Sequence, residues 1–290
     1  MFPDLVDAAR FEALVRLLAT SFNVLSLGDA AARLAAGTLP AGALCVTFDD
    51  GYADNAEIAL PILRRHGVKA TFFVATGFLD GGRMFNDSVI ECVRGARGDT
   101  ADLSEFGLGP RTLASAQDRR RVVDELLPQI KYLGFDEREE YIARLSRLLR
   151  TERLPDDLMM RSGQVVELHR AGMEIGGHTA RHPILRVLAD ADAEAEIAQG
   201  RARLQQLVDA PVDVFAYPNG RPMQDYDGRH VEMVRRLGFR VAVSTAAGTA
   251  TASSDVFQLP RFTPWDAGEW RWMMRLLRMR VAGAGPVEVA

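Results

Sequence analysis

Cysteine is scarce in this sequence, and no apolar run is long enough to cross a membrane. Only Cys45 and Cys92 occur among 290 residues. Cys45 lies in a strand-like run and Cys92 in a helix-like run, so we expect both thiols to be reduced rather than paired. No stretch reaches the ~18 apolar residues that a transmembrane helix requires. The sequence therefore predicts neither a disulfide framework nor a transmembrane segment.

A surplus of positive charge is also lacking. Lys and Arg number 35 and Asp and Glu number 39, which gives a formal net charge of −4. No basic cluster overturns that balance, so a nucleic-acid partner is not expected. The first residues have neither a basic start nor an uninterrupted apolar core, which argues against a signal peptide. As given, the chain is expected in the cytoplasm, unless its N-terminus is incomplete.

Strand-like and helix-like segments alternate over much of the chain, within a composition typical of globular proteins. The strong strand-like segments are residues 43–46, 69–74, 173–176, 212–216 and 239–243, with a weaker edge strand at 258–262. This alternation predicts an α/β fold with a parallel sheet. We expect one domain over residues 1–290. Strand signals vanish at about 77–157, where we predict a helical insertion.

Two adjacent carboxylates, Asp49 and Asp50, directly follow the first of these strands. Side chains alternate along a strand, so the two acids cannot share one role unless the chain turns there. Gly51 supplies such a turn. Strand ends of this kind are where α/β folds place their chemistry. An Asp-Asp-Gly run alone is more often an ordinary polar turn, so a second motif has to support a functional interpretation.

That second motif is a pair of histidines, His178 and His182, which follow a later strand. Histidines separated by three residues can point the same way on a helical turn or in a compact loop. Imidazole and carboxylate together suit zinc or another borderline divalent ion. A set of two histidines and one aspartate leaves positions open for water, which is typical of catalytic rather than structural sites.

The runs at residues 47–51 (Thr-Phe-Asp-Asp-Gly) and 178–182 (His-Thr-Ala-Arg-His) together resemble the polysaccharide deacetylase family, also called the NodB-homology family or carbohydrate esterase family four. The resemblance runs from about Ala43 to Phe262, interrupted by the predicted insertion. It implies an irregular (β/α) barrel with fewer than eight regular strands. It also implies a hydrolase that removes N-acetyl groups from amino sugars, usually with Zn²⁺.

Residue roles follow from the same resemblance. Asp50, His178 and His182 would hold the metal, and Asp49 would act as the general base. A metal ion lowers the pKa of bound water, and a nearby carboxylate can accept the proton that water loses. The oxyanion formed from the acetamide would lie between the metal and a backbone N–H, for which Asn219 is the candidate.

Tyr217, Pro218 and Asn219 stand where the family has its third motif, and we assign them to substrate and oxyanion binding. The side chains of Tyr217 and Trp265 are candidates for stacking on a sugar ring. Aromatic residues near strand ends are, however, more often part of the core.

The third motif departs from the family pattern in one position. Many members have an arginine where this chain has Ala216. Arg261, on the predicted last strand, is a candidate replacement that would orient Asp49 from a different strand. The alternative is an ordinary surface arginine.

The family's late Leu-x-His motif, whose histidine protonates the leaving amine, has no counterpart here. The corresponding region reads Leu259-Pro260-Arg261, and His66, His169 and His230 are expected at the surface or at helix caps. A subgroup resembling the poly-N-acetylglucosamine deacetylases keeps a similar third motif and takes its extra histidine from a strand before the first motif. This chain is then either short at its N-terminus or uses another proton donor.

Three functions stay open. The favoured one is a metal-dependent hydrolase that removes N-acetyl groups from an amino-sugar-containing glycan or glycolipid precursor. The second is a metal-retaining carbohydrate-binding protein with impaired catalysis, suggested by the absent acid histidine. The third is a hydrolase of a small non-sugar amide or imide. Zinc is the expected cofactor, although other divalent transition metals fit the same ligands. An N-acetylated sugar is the expected partner, and the sequence predicts no oligomeric state.

Overall fold

The computed structural model describes residues 7–151, 153–262 and 269–282. Two predictions fall outside these ranges. Trp265, the second candidate for sugar stacking, is one. The prediction that concerns the first residues of the chain is the other.

The described residues form two compact units. The smaller unit comprises Gly81–Leu158, and the larger comprises Val6–Asp80 and Met159–Ala290, each as far as the structure describes it. The smaller unit covers nearly the same residues as the insertion predicted at 77–157. The single-domain organisation over residues 1–290 stays a prediction.

The strands seen in the described residues are short. In chain order they are β1 (Asn23–Leu25), β2 (Ala43–Cys45), β3 (Thr47–Phe48), β4 (Thr71–Val74), β5 (Thr100–Asp102), β6 (Pro110–Thr112), β7 (Glu174–Gly177), β8 (Val214–Ala216), β9 (Val241–Ala247) and β10 (Leu259–Arg261).

The larger unit is built on a curled, six-stranded parallel sheet with the strand order β10-β9-β8-β7-β4-β3. Strands β1 and β2 form a separate parallel pair. The predicted α/β class is confirmed, and β10 lies at the sheet edge as expected for residues 258–262. Because all six strands are parallel, their carboxyl ends lie at one edge of the sheet.

Helices connect the strands of the larger unit and make up most of the smaller one. They are α1 (Ala8–Ser21), α2 (Leu27–Ala35), α3 (Leu60–Arg65), α4 (Phe85–Arg94), α5 (Ala116–Ile130), α6 (Phe135–Leu149), α7 (Ser162–Arg170), α8 (Asp190–Val208), α9 (Gly228–Arg236) and α10 (Glu269–Ala282). A π-helical turn, Asn55–Ala59, precedes α3, with the Leu60 N–H donating to the Asn55 carbonyl five residues back. Pro61 follows directly and has no N–H to continue a regular helical ladder.

The smaller unit corrects the expectation that residues 77–157 lack strands. Strands β5 and β6 pair antiparallel, with Thr100 opposite Thr112. Gly107 and Gly109, at φ 72° and 67°, allow the chain to reverse between them. Each strand has only three residues and only its middle residue is partly buried, so neither carries the alternating apolar pattern that predicts a strand.

Aromatic side chains fill the core of the larger unit around the sheet. Phe72 and Phe215 are fully buried, and the ring of Phe72 stacks on that of Phe48 with centroids 4.6 Å apart. Phe48 is the residue immediately before the paired carboxylates. This packing fixes the end of β3, and therefore the starting point of the loop that carries Asp49 and Asp50.

Candidate active site

Polar residues at the ends of four strands of the sheet lie at its carboxyl edge. Asp49 and Asp50 follow β3, His178 follows β7, Asn219 lies three residues after β8, and Arg261 ends β10. Residues far apart in the chain therefore share one edge because the strands that carry them are parallel.

The turn after β3 begins at Asp50 itself. Asp50 has φ 75° and Gly51 has φ 92°, both in the left-handed region. The left-handed φ of Gly51 favours glycine, and a Cβ there would lie 3.0 Å from a methyl carbon of Val74, a tight contact. The Ala75 N–H donates to the Asp50 carbonyl at 3.2 Å, which ties the turn to the end of β4. Asp50 therefore leaves the line of the strand directly after Asp49.

Asp50, His178 and His182 form a cluster that could hold a metal ion. The Nε2 atoms of His178 and His182 lie 3.3 Å and 3.4 Å from the same Asp50 oxygen, Oδ1. One ligand atom from each residue lies within 4.8 Å of the others. The His178 side chain is 2% exposed, that of His182 is 11% and that of Asp50 is 26%. The two imidazoles are therefore largely enclosed by protein, and the Asp50 carboxylate is partly open to solvent.

The chemistry of His178 favours a cation at this cluster. Its Nδ1 lies 2.7 Å from the Ala216 carbonyl oxygen, which can only accept, so Nδ1 carries a proton. In a neutral ring, Nε2 then presents its lone pair toward the Asp50 carboxylate oxygen 3.3 Å away. The Nε2 lone pair of His178 and the Asp50 oxygen are both acceptors, and two acceptors so close together repel each other. Either a second proton on the His178 ring or a cation bound by both atoms removes this repulsion. The residues present therefore fit a divalent ion.

The charges of the cluster shift its pKa values in opposite directions. Burial lowers the pKa of His178, but the Asp50 hydrogen bond and the charges of Asp49 and Asp50 outweigh it, so the pKa is raised. Burial raises the pKa of Asp50, but His178 and His182 outweigh it, so that pKa is lowered. The cluster therefore favours an ionised carboxylate.

Asp49 is paired with Arg261 rather than with the histidines. Two guanidinium nitrogens of Arg261 donate to the two Asp49 carboxylate oxygens at 2.7 Å and 2.8 Å. The third, Nε, donates to the Ser244 carbonyl at 3.0 Å. Burial raises the pKa of Asp49, but the charge and hydrogen bonds of Arg261 outweigh it and leave the pKa lowered. The contact proposed from sequence between Arg261 and Asp49 is present, and its catalytic role stays a prediction.

The assignment of the Tyr217 side chain to sugar stacking is wrong. Tyr217 is fully buried, its ring stacks on Tyr226 with centroids 3.8 Å apart, and its hydroxyl donates to the Phe257 carbonyl at 3.1 Å. Both faces and the polar end of the ring are thus enclosed by protein. The ring belongs to the core, which is the more frequent place for an aromatic residue near a strand end.

The backbone at Pro218 and Asn219 turns sharply at the same edge. Asn219 has φ 58°, in the left-handed region that asparagine tolerates better than most residues. The Thr245 hydroxyl donates to the Asn219 carbonyl at 2.8 Å, and the Thr245 N–H donates to the Gly220 carbonyl at 2.8 Å. These bonds fix the orientation of the peptide groups here. The substrate and oxyanion roles of this segment stay predictions.

Two of the remaining histidines have partners away from the cluster. His66 lies 3.1 Å from Glu12. His230 caps the start of α9 with Asp227, 2.9 Å away, and its other ring nitrogen lies 3.1 Å from the Leu185 carbonyl. His230 is fully buried, so of the two positions expected from the sequence, surface or helix cap, it takes the capping one. Neither is bonded to Asp49 or Asp50.

Several groups that shape the site were missed in the sequence. The Ala216 and Ser244 carbonyls orient His178 and Arg261. Every residue has a carbonyl, so no sequence signal could have identified these two.

Among the described residues, no helix is long and apolar enough to span a membrane.

Comparison with known proteins identifies relatives of this chain. The family profile described as polysaccharide deacetylase matches residues 36–96 and 132–242, more than half of the chain. The Bacillus subtilis (strain 168) protein YxkH is 20% identical over 216 residues, which cover 74% of this chain and 49% of YxkH. The chain thus spans about half the length of this curated relative.

Solved structures show the same fold. The Streptococcus pyogenes deacetylase PplD in complex with acetate superposes with a TM-score of 0.57 at 21% identity, over 89% of this chain and 80% of PplD. IcaB from Ammonifex degensii superposes with a TM-score of 0.59 at 17% identity, over 93% of this chain and 88% of IcaB. The fold is therefore the irregular (β/α) barrel of these proteins, as the sequence resemblance implied.

Proposed function

Because this chain belongs to the polysaccharide deacetylase family, we propose that it hydrolyses N-acetyl groups on an amino-sugar-containing glycan or glycolipid precursor, using a bound divalent metal ion. One observation carries the proposal. A cluster of one carboxylate and two imidazoles, Asp50, His178 and His182, lies beside a second carboxylate, Asp49, that is held by an arginine. This arrangement separates ligands for an ion from a base for water.

Asp50, His178 and His182 are the residues that would hold the ion, and zinc suits the ligand set best. When bound there, the ion would lower the pKa of a water molecule and polarise the acetamide carbonyl. Cobalt, nickel or iron would fit the same ligands. The Nδ1 hydrogen bond of His178 to the Ala216 carbonyl keeps Nε2 as its ligand atom.

Asp49 accepts the proton that water gives up as it attacks the acetamide carbon. Arg261 keeps that carboxylate ionised and oriented, since both Asp49 oxygens receive a guanidinium hydrogen bond. A lowered pKa makes Asp49 a weaker base, but it ensures that the deprotonated form is present at neutral pH. The backbone N–H of Asn219 is the donor that we assign to the developing oxyanion.

A second function is favoured by one specific observation. His66 and His230 both have partners away from Asp49 and Asp50, so neither is placed as the acid for the departing amine. A protein that binds an acetylated sugar without releasing acetate would agree with this. A hydrolase of a small cyclic amide is the third possibility that the same ligands allow.

Acetate release separates these functions. The zinc-loaded chain should release acetate from oligosaccharides of N-acetylglucosamine, and treatment with a chelator should abolish the release until zinc is added back. Saturable binding of the oligosaccharide without acetate would favour the binding protein. Turnover of a cyclic amide alone would favour the third function, and either result would overturn the proposed N-deacetylation.

A further inference from the structure

The loop that carries the two histidines has an unfavourable backbone. Thr179 has φ 65° and His182 has φ 52°, although neither is glycine. A β-branched residue such as threonine rarely occupies this left-handed region, because its side chain crowds the neighbouring carbonyl. Within the loop, the His182 N–H donates to the Thr179 hydroxyl at 3.0 Å, and contacts from outside the loop add to this support.

Glu196, on α8, makes three hydrogen bonds to this loop. Its Oε2 accepts from the Arg181 N–H at 2.7 Å, and its Oε1 accepts from the Arg181 Nε at 2.6 Å. Its main-chain carbonyl accepts from the Ala180 N–H at 3.0 Å. Glu196 is 5% exposed. A buried carboxylate is thus bonded to the backbone between the two histidines.

The loop is also held closely between α8 and the segment after β4. A Cβ on Gly200, one turn beyond Glu196, would lie 2.6 Å from the Thr179 carbonyl carbon and oxygen. On the other side, the Gly77 N–H donates to the Ala180 carbonyl at 2.7 Å. The loop backbone therefore touches the α8 backbone directly, and the Glu196 side chain adds hydrogen bonds from α8 to the same loop.

We propose that Glu196 is a positioning residue that sets the spacing of the His178 and His182 imidazoles for metal binding. The inference rests on the proposed function, which takes these two histidines as ligands. Glu196 acts on them through the Arg181 peptide N–H and guanidinium, and it touches neither histidine in any contact seen in the described residues.

The carboxylate suits this task better than an amide would. Two donors of Arg181 approach separate oxygens of Glu196, and a glutamine offers only one oxygen. In Glu196→Gln one Arg181 donor would face an NH₂ group, and the loop would shift or loosen. Partners that orient metal ligands typically contribute about 10- to 100-fold to metal affinity. Because Glu196 acts through Arg181 and is not bonded to either histidine, we expect Zn²⁺ affinity to fall by about 10-fold, the lower end of that range, in Glu196→Gln.

The test compares Zn²⁺ dissociation constants, measured by competition with a chromophoric chelator, between wild type and variants. Glu194→Gln is the matched control, because Glu194 lies on the same helix and pairs with Arg236 at 2.8 Å, away from the histidine loop. Glu194→Gln should bind zinc as wild type does. Arg181→Lys keeps the backbone N–H and one positive charge, so its loss of affinity should be smaller than that of Glu196→Gln.

Thermal unfolding of the zinc-free proteins separates positioning from general stability. Lower stability in Glu196→Gln together with wild-type zinc affinity would overturn the inference, as would equal losses of affinity in Glu196→Gln and Glu194→Gln. If Glu196→Gln does not fold, Arg181→Lys with unchanged affinity would overturn it. A wild-type chain that binds no zinc overturns the metal site and this inference together. Selective loss of zinc affinity in a chain that releases no acetate would contradict only the proposed N-deacetylation.

Discussion

The two ends of the parallel sheet both contain partly buried carboxylates, and their surroundings differ. At the amino end, Glu174 starts β7 and accepts from the Leu27 N–H at 2.9 Å, the Gly28 N–H at 3.0 Å and the Thr71 hydroxyl at 2.6 Å. These donors are all neutral. At the carboxyl end, Asp49 and Asp50 face a guanidinium and two imidazoles.

The pKa values follow this difference. Burial raises the pKa of Glu174, and its neutral hydrogen-bond donors do not compensate. Burial acts in the same direction on Asp49 and Asp50, but cationic partners reverse it and lower both pKa values. Hydrogen bonds to neutral donors suffice to hold a carboxylate in place, whereas charged partners also keep it ionised. The amino end thus has the properties of a structural contact and the carboxyl end those of a reactive site.

The largest effect should come from removing a ligand at the carboxyl end. Asp50→Asn is expected to lose bound zinc and to reduce acetate release by at least about a thousandfold, since metal polarisation supplies several kcal/mol. Zinc content and acetate release report the change. Asp54→Asn, an exposed acid four residues later, is the control and should retain both. Full activity in Asp50→Asn would contradict the assignment of the carboxyl end as the reactive end of the sheet.

The next effect should come from the arginine that pairs with Asp49. Arg261→Ala removes the bidentate contact, and we expect kcat to fall by about 100-fold, within the range for a positioned general base. Arg261 lowers the pKa of Asp49. Its loss should therefore move the acid limb of the rate profile to higher pH.

Arg261→Lys provides the matched variant for this position. Lysine retains one charge but cannot donate to both oxygens, so its kcat should lie between those of wild type and Arg261→Ala. Zinc content should stay unchanged in both variants, because Asp49 is not among the ligands assigned to the ion. An unaltered acid limb in Arg261→Ala would show that the pair does not tune the base.

At the amino end, a change should affect stability without affecting turnover. Glu174→Gln leaves an amide group facing N–H donors, which we expect to cost about 1–3 kcal/mol in the free energy of unfolding. Acetate release should stay within about twofold of wild type, since the sites are separate. Asp29→Asn, which breaks an exposed pair with Arg33 on α2, should cost about 0.5 kcal/mol or less. A fall in kcat for Glu174→Gln would show that the amino end of the sheet also contributes to turnover, and the distinction between the two ends would fail.

Much of the sheet, and the residues gathered at its carboxyl edge, were predictable from the sequence. Strong apolar runs predict the strands, and polar groups directly after them predict a shared edge, as Asp50 and His178 illustrate. The edge-strand position of Arg261 was predictable too, because a weak strand-like run contained it.

Other features depended on packing that a sequence pattern does not encode. Tyr217 and Arg261 both follow or end strands, but tertiary contacts with Tyr226 and Phe257 enclose Tyr217. The β5–β6 pair lacks an apolar pattern. Glu196 lies among the acidic and alanine residues of a long helix, and only the closeness of α8 to the histidine loop distinguishes it from the partly exposed Glu194.

The smallest effect, a pH dependence of stability, should separate the two ends in zinc-free protein. Glu174 has a pKa raised above its ordinary value of 4.5, so the folded state binds more protons than the unfolded state just above that pH. The free energy of unfolding therefore falls as pH rises through this interval. The pKa values of Asp49 and Asp50 are lowered from 3.8, so these groups act in the opposite sense. Their contribution to the stability of the fold is complete above pH 3.8 and is lost as the pH falls below it. Urea denaturation of wild type and Glu174→Gln across pH 4 to 8 should show the wild-type advantage shrinking as pH rises from about 4.5 and then levelling. An advantage that is constant over this range would mean that Glu174 titrates as it does in the unfolded chain, and that neutral donors compensate burial as fully as charged partners do.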